Sequence, residues 1–424
     1  MNAIERGVRR RISESLSAPK LGIAANLPQF VLLVGVNGLV GALVGQERTL
    51  VPLLGERVFN LGTATAVLLF IVTFGLAKAA ANLAAGFLAD RMGRRRVLVL
   101  GWLVGLPVPI MLMVAPSWSW VVLANILLGL NQGLTWSTTV VMKIDLAGPH
   151  RRGLAMGLNE FSGYFAVALS AGASGLLASR YGLRPEPFFL GLAVVAIGLG
   201  LSSLAVRETS AHARLEGAGQ HDKSFAEVAT LASFGDRGLA AASRTGLVNN
   251  ANDALAWGLL PLMLSAEGLS TSQIGAVAGL YPAVWGLTQL VTGPLSDRIG
   301  RRLPIALGMW LQALALASFC LTQGFASRAG ASVLLGLGTA LTYPSLLAVV
   351  GDLAAPAWRA AAVGVYRTWR DGGYVVGAIT AGLLADAFGP AAALAVVAGI
   401  TALAGLDAWM NLAPSSNDEL NSVQ

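Results

Sequence analysis

Twelve long apolar runs, each separated from the next by a short polar break, set the organisation of this chain. They cover residues 28–54, 62–89, 96–115, 118–145, 153–180, 186–206, 239–265, 272–296, 303–323, 328–353, 360–386 and 390–411. A helix of roughly 20 residues crosses a hydrocarbon core of about 30 Å, so each run is predicted to be a membrane-spanning helix. The expected fold is all-α. A basic stretch, 1–27, precedes the first run, a polar stretch, 207–238, divides the runs six and six, and a Ser, Asn and Asp tail, 412–424, follows the last. Within the divider, apolar residues from Phe225 to Phe234 recur at helical spacing, which predicts a helix lying on the membrane surface.

One decapeptide is written twice. Gly86-Phe-Leu-Ala-Asp90-Arg91-Met-Gly93-Arg94-Arg95 returns as Gly293-Pro-Leu-Ser-Asp297-Arg298-Ile-Gly300-Arg301-Arg302, an offset of 297 − 90 = 207 residues. The same offset aligns Asp145 with Asp352, Pro149 with Pro356, Gly157 with Gly364, and Gly175-Leu-Leu-Ala with Gly382-Leu-Leu-Ala. The repeated pattern resembles the loop 2-3 signature of the major facilitator superfamily, bacterial type, and both copies match it at every fixed position.

That resemblance implies two pseudo-symmetric six-helix bundles, 28–206 and 239–411, working by alternating access around a central site. It also implies that Gly86, Asp90, Arg91, Gly93 and Arg94, with Gly293, Asp297, Arg298, Gly300 and Arg301, form a conformational latch. An aspartate there can accept hydrogen bonds from helix N-terminal amides and neighbouring arginines only while that side is closed. The drug:proton antiporter pattern is incomplete, because Asn125 stands where an Arg is expected in helix 4 and the small residues of helix 5, Gly163 to Gly175, include no proline. The subfamily stays open.

With 55% hydrophobic and 12% charged residues and a mean hydropathy of +0.67, the chain belongs in a bilayer. Its net charge of +7 gathers in the loops near 91–96, 150–152, 207–237, 298–302 and 355–359, while the opposite loops hold Arg57, Arg180, Arg184 and Arg328. Positive residues are retained inside, so both termini are expected in the cytoplasm of an inner-membrane protein, and no nucleic-acid partner is expected. The histidines (His150, His212, His221) lie in loops without metal spacing, and Cys320 stands alone. No phosphate-binding loop or nucleophile–base pair is present, so no enzyme activity, metal or cofactor is expected. A monomer is expected.

Ionisable residues at membrane depth are costly and mark transport paths. Lys78 lies 90 − 78 = 12 residues before the motif aspartate, near mid-bilayer. Helix 1 carries Glu47 and Arg48, and 47 + 207 = 254 sets Glu47 level with Asp253 of helix 7, which also carries Arg244, Asn249, Asn250 and Asn252. On helix 11, Arg367, Arg370, Asp371 and Tyr374 share one face, with Arg367 and Asp371 expected to pair and Arg370 left without an in-helix acid. Lys143 and Asp145 are assigned to the charges around the Asp90 loop, and Glu160 to an intrabundle pair.

The candidate substrate and ion-coupling residues are therefore Glu47, Arg48, Lys78, Asn249, Asn250, Asp253, Arg367, Arg370, Asp371 and Tyr374. Glu47, Asp253 and Asp371 are the candidate proton carriers. Basic residues (Arg48, Lys78, Arg244, Arg367, Arg370) outnumber acids (Glu47, Glu160, Asp253, Asp371), which favours a polar or anionic small solute. The alternatives are efflux of drugs or toxic compounds and, more remotely, a transport-dead membrane sensor.

Overall fold

The computed structural model describes residues 20–147, 152–212, 223–355 and 358–412, without the side chains of Gly86, Phe87, Asp90, Arg152, Gly153, Arg359 and Ala360. The first half holds α1 (Leu27–Arg57), α2 (Ala64–Met92), α3 in two pieces (Arg94–Gly105 and Pro107–Val114), α4 (Trp118–Ala147), α5 (Arg152–Tyr181) and α6 (Phe189–Leu204). The second holds α7 (Arg237–Ala266), α8 (Thr271–Ile299), α9 (Arg302–Leu321), α10 (Phe325–Leu353), α11 (Arg359–Phe388) and α12 (Pro390–Asn411). No strand occurs among the described residues. Pro107 and Pro109 remove two donors from the middle of the third rod, and Leu106 keeps helical angles across the break.

Among the described residues, nine of the rods are long and apolar enough to cross a membrane by composition alone. The other three are α4, α7 and α11, which carry Asn125, Asn131 and Gln132, Asn249 to Asp253, and Arg370 and Asp371. Those polar residues are buried, so the rods that look least suited to lipid are the ones whose polar stripe faces protein. Exposed apolar side chains such as Leu76, Leu103, Ile197, Leu314 and Leu383 coat the outside and suit a hydrocarbon surround.

Within the halves, α1 packs on α5, α2 on α4, α7 on α11, and α9 on α10 and α12; the halves meet along two seams, α2 with α11 and α5 with α8. Each motif turn needs its second glycine, since Gly93 and Gly300 have φ of 88° and 83°, where a side chain is strained. These two turns, α2 to α3 and α8 to α9, lie at the same end of the bundle, called the motif end below. The connecting helix Phe225–Thr230 and its π turn Leu231–Gly235 start from a Ser224/Glu227 capping box. Val228 and Ala232 are buried against the second half, Trp369 Nε1 donates to Ser233 Oγ at 2.8 Å, and Phe225 and Phe234 face outward.

Candidate functional site

Among the described residues, buried ion pairs cross between the halves at two levels. At the first, Arg48 of α1 makes a bidentate pair with Asp253 of α7, Nη1 to Oδ1 at 2.6 Å and Nη2 to Oδ2 at 2.8 Å. The two residues are 3% and 1% exposed, and Tyr374 of α11 adds a hydrogen bond from its hydroxyl to Asp253 Oδ2 at 2.6 Å. Trp257 lies 5.2 Å from the guanidinium, which adds a cation–π contact.

The second level is one turn nearer the motif end. Asp371 of α11 meets Lys78 Nζ at 3.6 Å and Arg370 Nη1 at 3.3 Å, and accepts a hydrogen bond from the Asn82 amide of α2. Ser137 of α4 donates to Asn82 Oδ1 at 2.6 Å. Arg370 Nη2 donates to the Tyr164 hydroxyl of α5 at 2.8 Å, and its Cζ stands 4.3 Å from the Tyr343 ring centre. Tyr343 of α10 donates to Glu160 Oε2 at 3.3 Å, while Trp136 Nε1 and Asn159 Nδ2 donate to Glu160 Oε1, both at 3.0 Å. Tyr164 stacks on Trp285 of α8 at 3.5 Å, so the charged layer has aromatic walls.

Beyond this layer, toward the far end, the halves are sealed. Arg57 donates to Ser265 at 2.7 Å, Phe70 and Phe74 pack edge-on against Trp257, and Asp386 of α11 accepts from the amides of Ala64 and Thr65. At the motif end the named bonds stay within a half. The Asp297 side chain is 63% exposed and pairs with Arg301 of its own turn at 2.5 Å, and Arg301 reaches Asp352 of α10 at 3.2 Å. Arg94 pairs with Asp145 of α4 at 3.4 Å. Arg91 and Arg298 are exposed, and the side chains of Gly86 and Asp90 lie outside the described residues, as does any bond Asp90 makes. The charged layer is thus on the motif side of a closed far end.

The N-terminus of α3 has a partner from beyond α6. Amides of Arg94 and Arg95 each donate to the Glu208 carboxylate at 3.0 Å, and Thr209 Oγ1 donates to Asp145 at 2.7 Å. Burial pushes the Glu208 carboxyl up, but the bonds from Ser210 and from the Arg95 and Arg94 amides outweigh it and hold the group below its ordinary value.

Several expected roles change. Glu47 does not face Asp253; it turns into the first half toward Asn125, whose Nδ2 donates to the Val121 carbonyl at 3.0 Å, and neither Glu47 oxygen has a hydrogen-bond partner among the described residues. Successive helical residues point about 100° apart, so only one of positions 47 and 48 can cross to α7. Asn249 also turns inward, accepting from Gln312 Nε2 of α9 at 2.9 Å. Asn252 donates to Gln312 Oε1 at 3.0 Å and accepts from Thr401 of α12 at 2.9 Å. Asn250 packs against Gly373 of α11, and among the described residues Asp253 is the member of this polar run that bonds to the other half, through Arg48.

The expected Arg367–Asp371 pair is absent, because Lys78, Asn82 and Arg370 occupy the acid; Arg367 is half-buried and makes no ion pair among the described residues. Arg244 lies at the surface with Asp407, 3.0 Å away. Lys143, fully buried, donates to the Leu33 carbonyl at 3.2 Å. Asn82, Ser137, Tyr164, Trp285 and Tyr343 also belong to the site, although none is among the candidates the sequence singles out. A signal existed for Asn82, four residues after Lys78 and on its face.

Replacing Asn249 with Ala removes one of the acceptors of Gln312 Nε2, which keeps Thr342 Oγ1 at 3.3 Å, and is expected to cost about 1 kcal/mol in stability, read as a lowered thermal midpoint. Transport per folded molecule should be unchanged, which initial rates in proteoliposomes would check.

The family model of the Major Facilitator Superfamily matches residues 31–251 and again 242–422. The chain belongs to the major facilitator superfamily. Among relatives in this superfamily, the Multidrug resistance protein MdtG of Salmonella paratyphi A is 26% identical over 360 residues, covering 81% of this chain and 84% of that protein. MdtG of Salmonella typhi matches to the same extent, 26% over 360 residues. The nucleoside transporter NupG superposes with a TM-score of 0.71 at 14% identity, covering 90% of this chain and 98% of that one. A POT family transporter crystallised with 5-aminolevulinic acid superposes at 0.70 and 13% identity, covering 89% and 94%. At such identities the superpositions speak for the shared fold. This superfamily member is a multi-pass membrane transporter, and its two charge levels lie between its halves.

Proposed function

We propose that this chain is a proton-coupled exporter of small amphipathic organic compounds in the inner membrane, with its motif end in the cytoplasm. The observation that carries the coupling is the buried Arg48–Asp253 pair at the sealed end. A proton on Asp253 would leave Arg48 without a counter-ion in a dry site, a penalty of about 3–5 kcal/mol that is relieved when the far ends part and water reaches the guanidinium. The proton is therefore taken up as the pair separates and released as it forms. Asp371, shared by Lys78 and Arg370, is the second carrier.

The amphipathic substrate class is supported by the aromatic walls at Trp136, Tyr164, Trp285 and Tyr343, and by relatives that bear the name multidrug resistance protein. The excess of basic residues no longer argues for an anion, since Arg48, Lys78 and Arg244 each have an acid partner. Two observations favour a polar or anionic solute as the second reading: among the described residues, Arg367 makes no ion pair and Arg370 Nε has no hydrogen-bond partner. The test loads proteoliposomes with a pH-reporting dye and adds amphipathic drugs and organic anions in turn. Compound-driven proton movement that is lost in Asp253→Asn supports the coupling; transport without proton movement sinks it.

In this reading the bundles 28–206 and 239–411 move as units, and labels at position 2, within 208–236 and at position 420 all report cytoplasm. A linker and a terminus found on opposite faces would remove the six-plus-six arrangement.

A further inference from the structure

At the far end the two seams share a matched glycine contact and differ one turn further on. A Cβ on Gly382 of α11 would lie 2.8 Å from Thr65 Cα of α2, and a Cβ on Gly175 of α5 would lie 2.8 Å from Gly275 Cα of α8. Since 382 − 207 = 175, the two glycines are the same residue of the repeat. Each lets two helices from different halves touch backbone to backbone.

One turn beyond, the seams differ. Asp386 sends its carboxylate across to α2, Oδ1 accepting from the Ala64 amide at 2.6 Å and Oδ2 from the Thr65 amide at 3.0 Å. Its counterpart, 386 − 207 = 179, is Ser179, whose hydroxyl donates to the Leu176 carbonyl of its own helix at 2.8 Å. The α2 terminus does not depend on Asp386 to form, because Thr63 is its own cap and accepts from the Ala66 amide at 3.3 Å. Asp386 is exposed, so burial does not force the contact either. A carboxylate at a helix start gains from both hydrogen bonds and the positive end of the macrodipole, and here the helix and the acid belong to different halves.

We propose that Asp386 is a far-end latch, a gating residue that ties α11 to the N-terminus of α2 and favours the state in which the far end is closed. The proposal rests on alternating access, because its contact must break whenever the far ends part. By this geometry the α2–α11 seam carries a carboxylate clasp that its repeat counterpart, the α5–α8 seam, lacks at Ser179.

The test places spin labels at Gly62→Cys and Phe388→Cys in a Cys320→Ser background of the full chain and reads the distance distribution by electron–electron double resonance. In Asp386→Ala the ratio of long to short distances should rise at least about fivefold, and in the near-isosteric Asp386→Asn by a smaller factor, since one acceptor remains. The thermal midpoint should stay within about 2 °C in both, because Thr63 still caps α2. If both distances are seen in the parent and neither variant changes their ratio, the latch is overturned while alternating access stands. A single distance in the parent that neither variant widens overturns both.

Discussion

Asp253→Asn is expected to abolish coupled transport and to shift the chain toward a far-end-open state. The substitution keeps the size of the side chain and removes the charge that Arg48 meets at 2.6 and 2.8 Å. Arg48 cannot shed its proton, and at 3% exposure it has no water to replace the lost acid. About 3–5 kcal/mol of unfavourable energy then belongs to the closed state alone, a change of roughly two to four orders of magnitude in the conformer ratio. Labelling of cysteines introduced at the far end, in a Cys320→Ser background, by a membrane-impermeant reagent reads that shift directly. Arg48→Lys should fall between parent and Asp253→Asn, because it keeps the charge and loses the two-pronged fit. Unchanged labelling in Asp253→Asn would mean that the pair is structural filling and not a gate.

The second large effect is an inequality between two partners of one ion pair. Asp371 answers two cations, Lys78 at 3.6 Å and Arg370 at 3.3 Å, so Asp371→Asn leaves two buried positive charges without their acid. Lys78→Met leaves the Arg370–Asp371 contact in place. Asp371→Asn should therefore lower transport by about a hundredfold and cost about 3–5 kcal/mol of stability, whereas Lys78→Met should lower transport by about tenfold and cost much less. The double variant should recover part of the stability lost in Asp371→Asn, which a double-mutant cycle on thermal midpoints measures. Equal losses in the two single variants would show that Arg370 does not share the acid.

The architecture was readable along the chain because its signals are local. Long apolar runs predict spans, and two copies of Gly-x-x-x-Asp-Arg-x-Gly-Arg-Arg at an offset of 207 predict a duplicated bundle. The glycines in that motif have their reason in the positive φ of Gly93 and Gly300. Partner choice across the seam was not readable in the same way. A helix that is apolar on every side gives little indication of its rotation, so nothing near Glu47 and Arg48 says which of them meets α7. Asn249 and Asn252 show the same ambiguity, since a polar residue in a bundle can turn toward a neighbour in its own half as well as toward a cavity. The stripe on α11 was visible as a face, yet Asp371 took partners from α2 that lie almost three hundred residues earlier in the chain.

Those inward-turned amides bear on the surrounding membrane. Gln312 and Thr401 bind α9 and α12 to Asn249 and Asn252 of α7, so buried hydrogen bonds tie the helix that carries Asp253 to two helices with lipid-facing residues. In the proposed cycle, a tilt of α7 that releases Arg48 would carry the apolar band of Leu314, Ile400 and Leu403 with it and change the span it presents to the acyl chains. The cycle therefore works against the thickness of the bilayer, and the lipid is part of the mechanical load that each turnover moves.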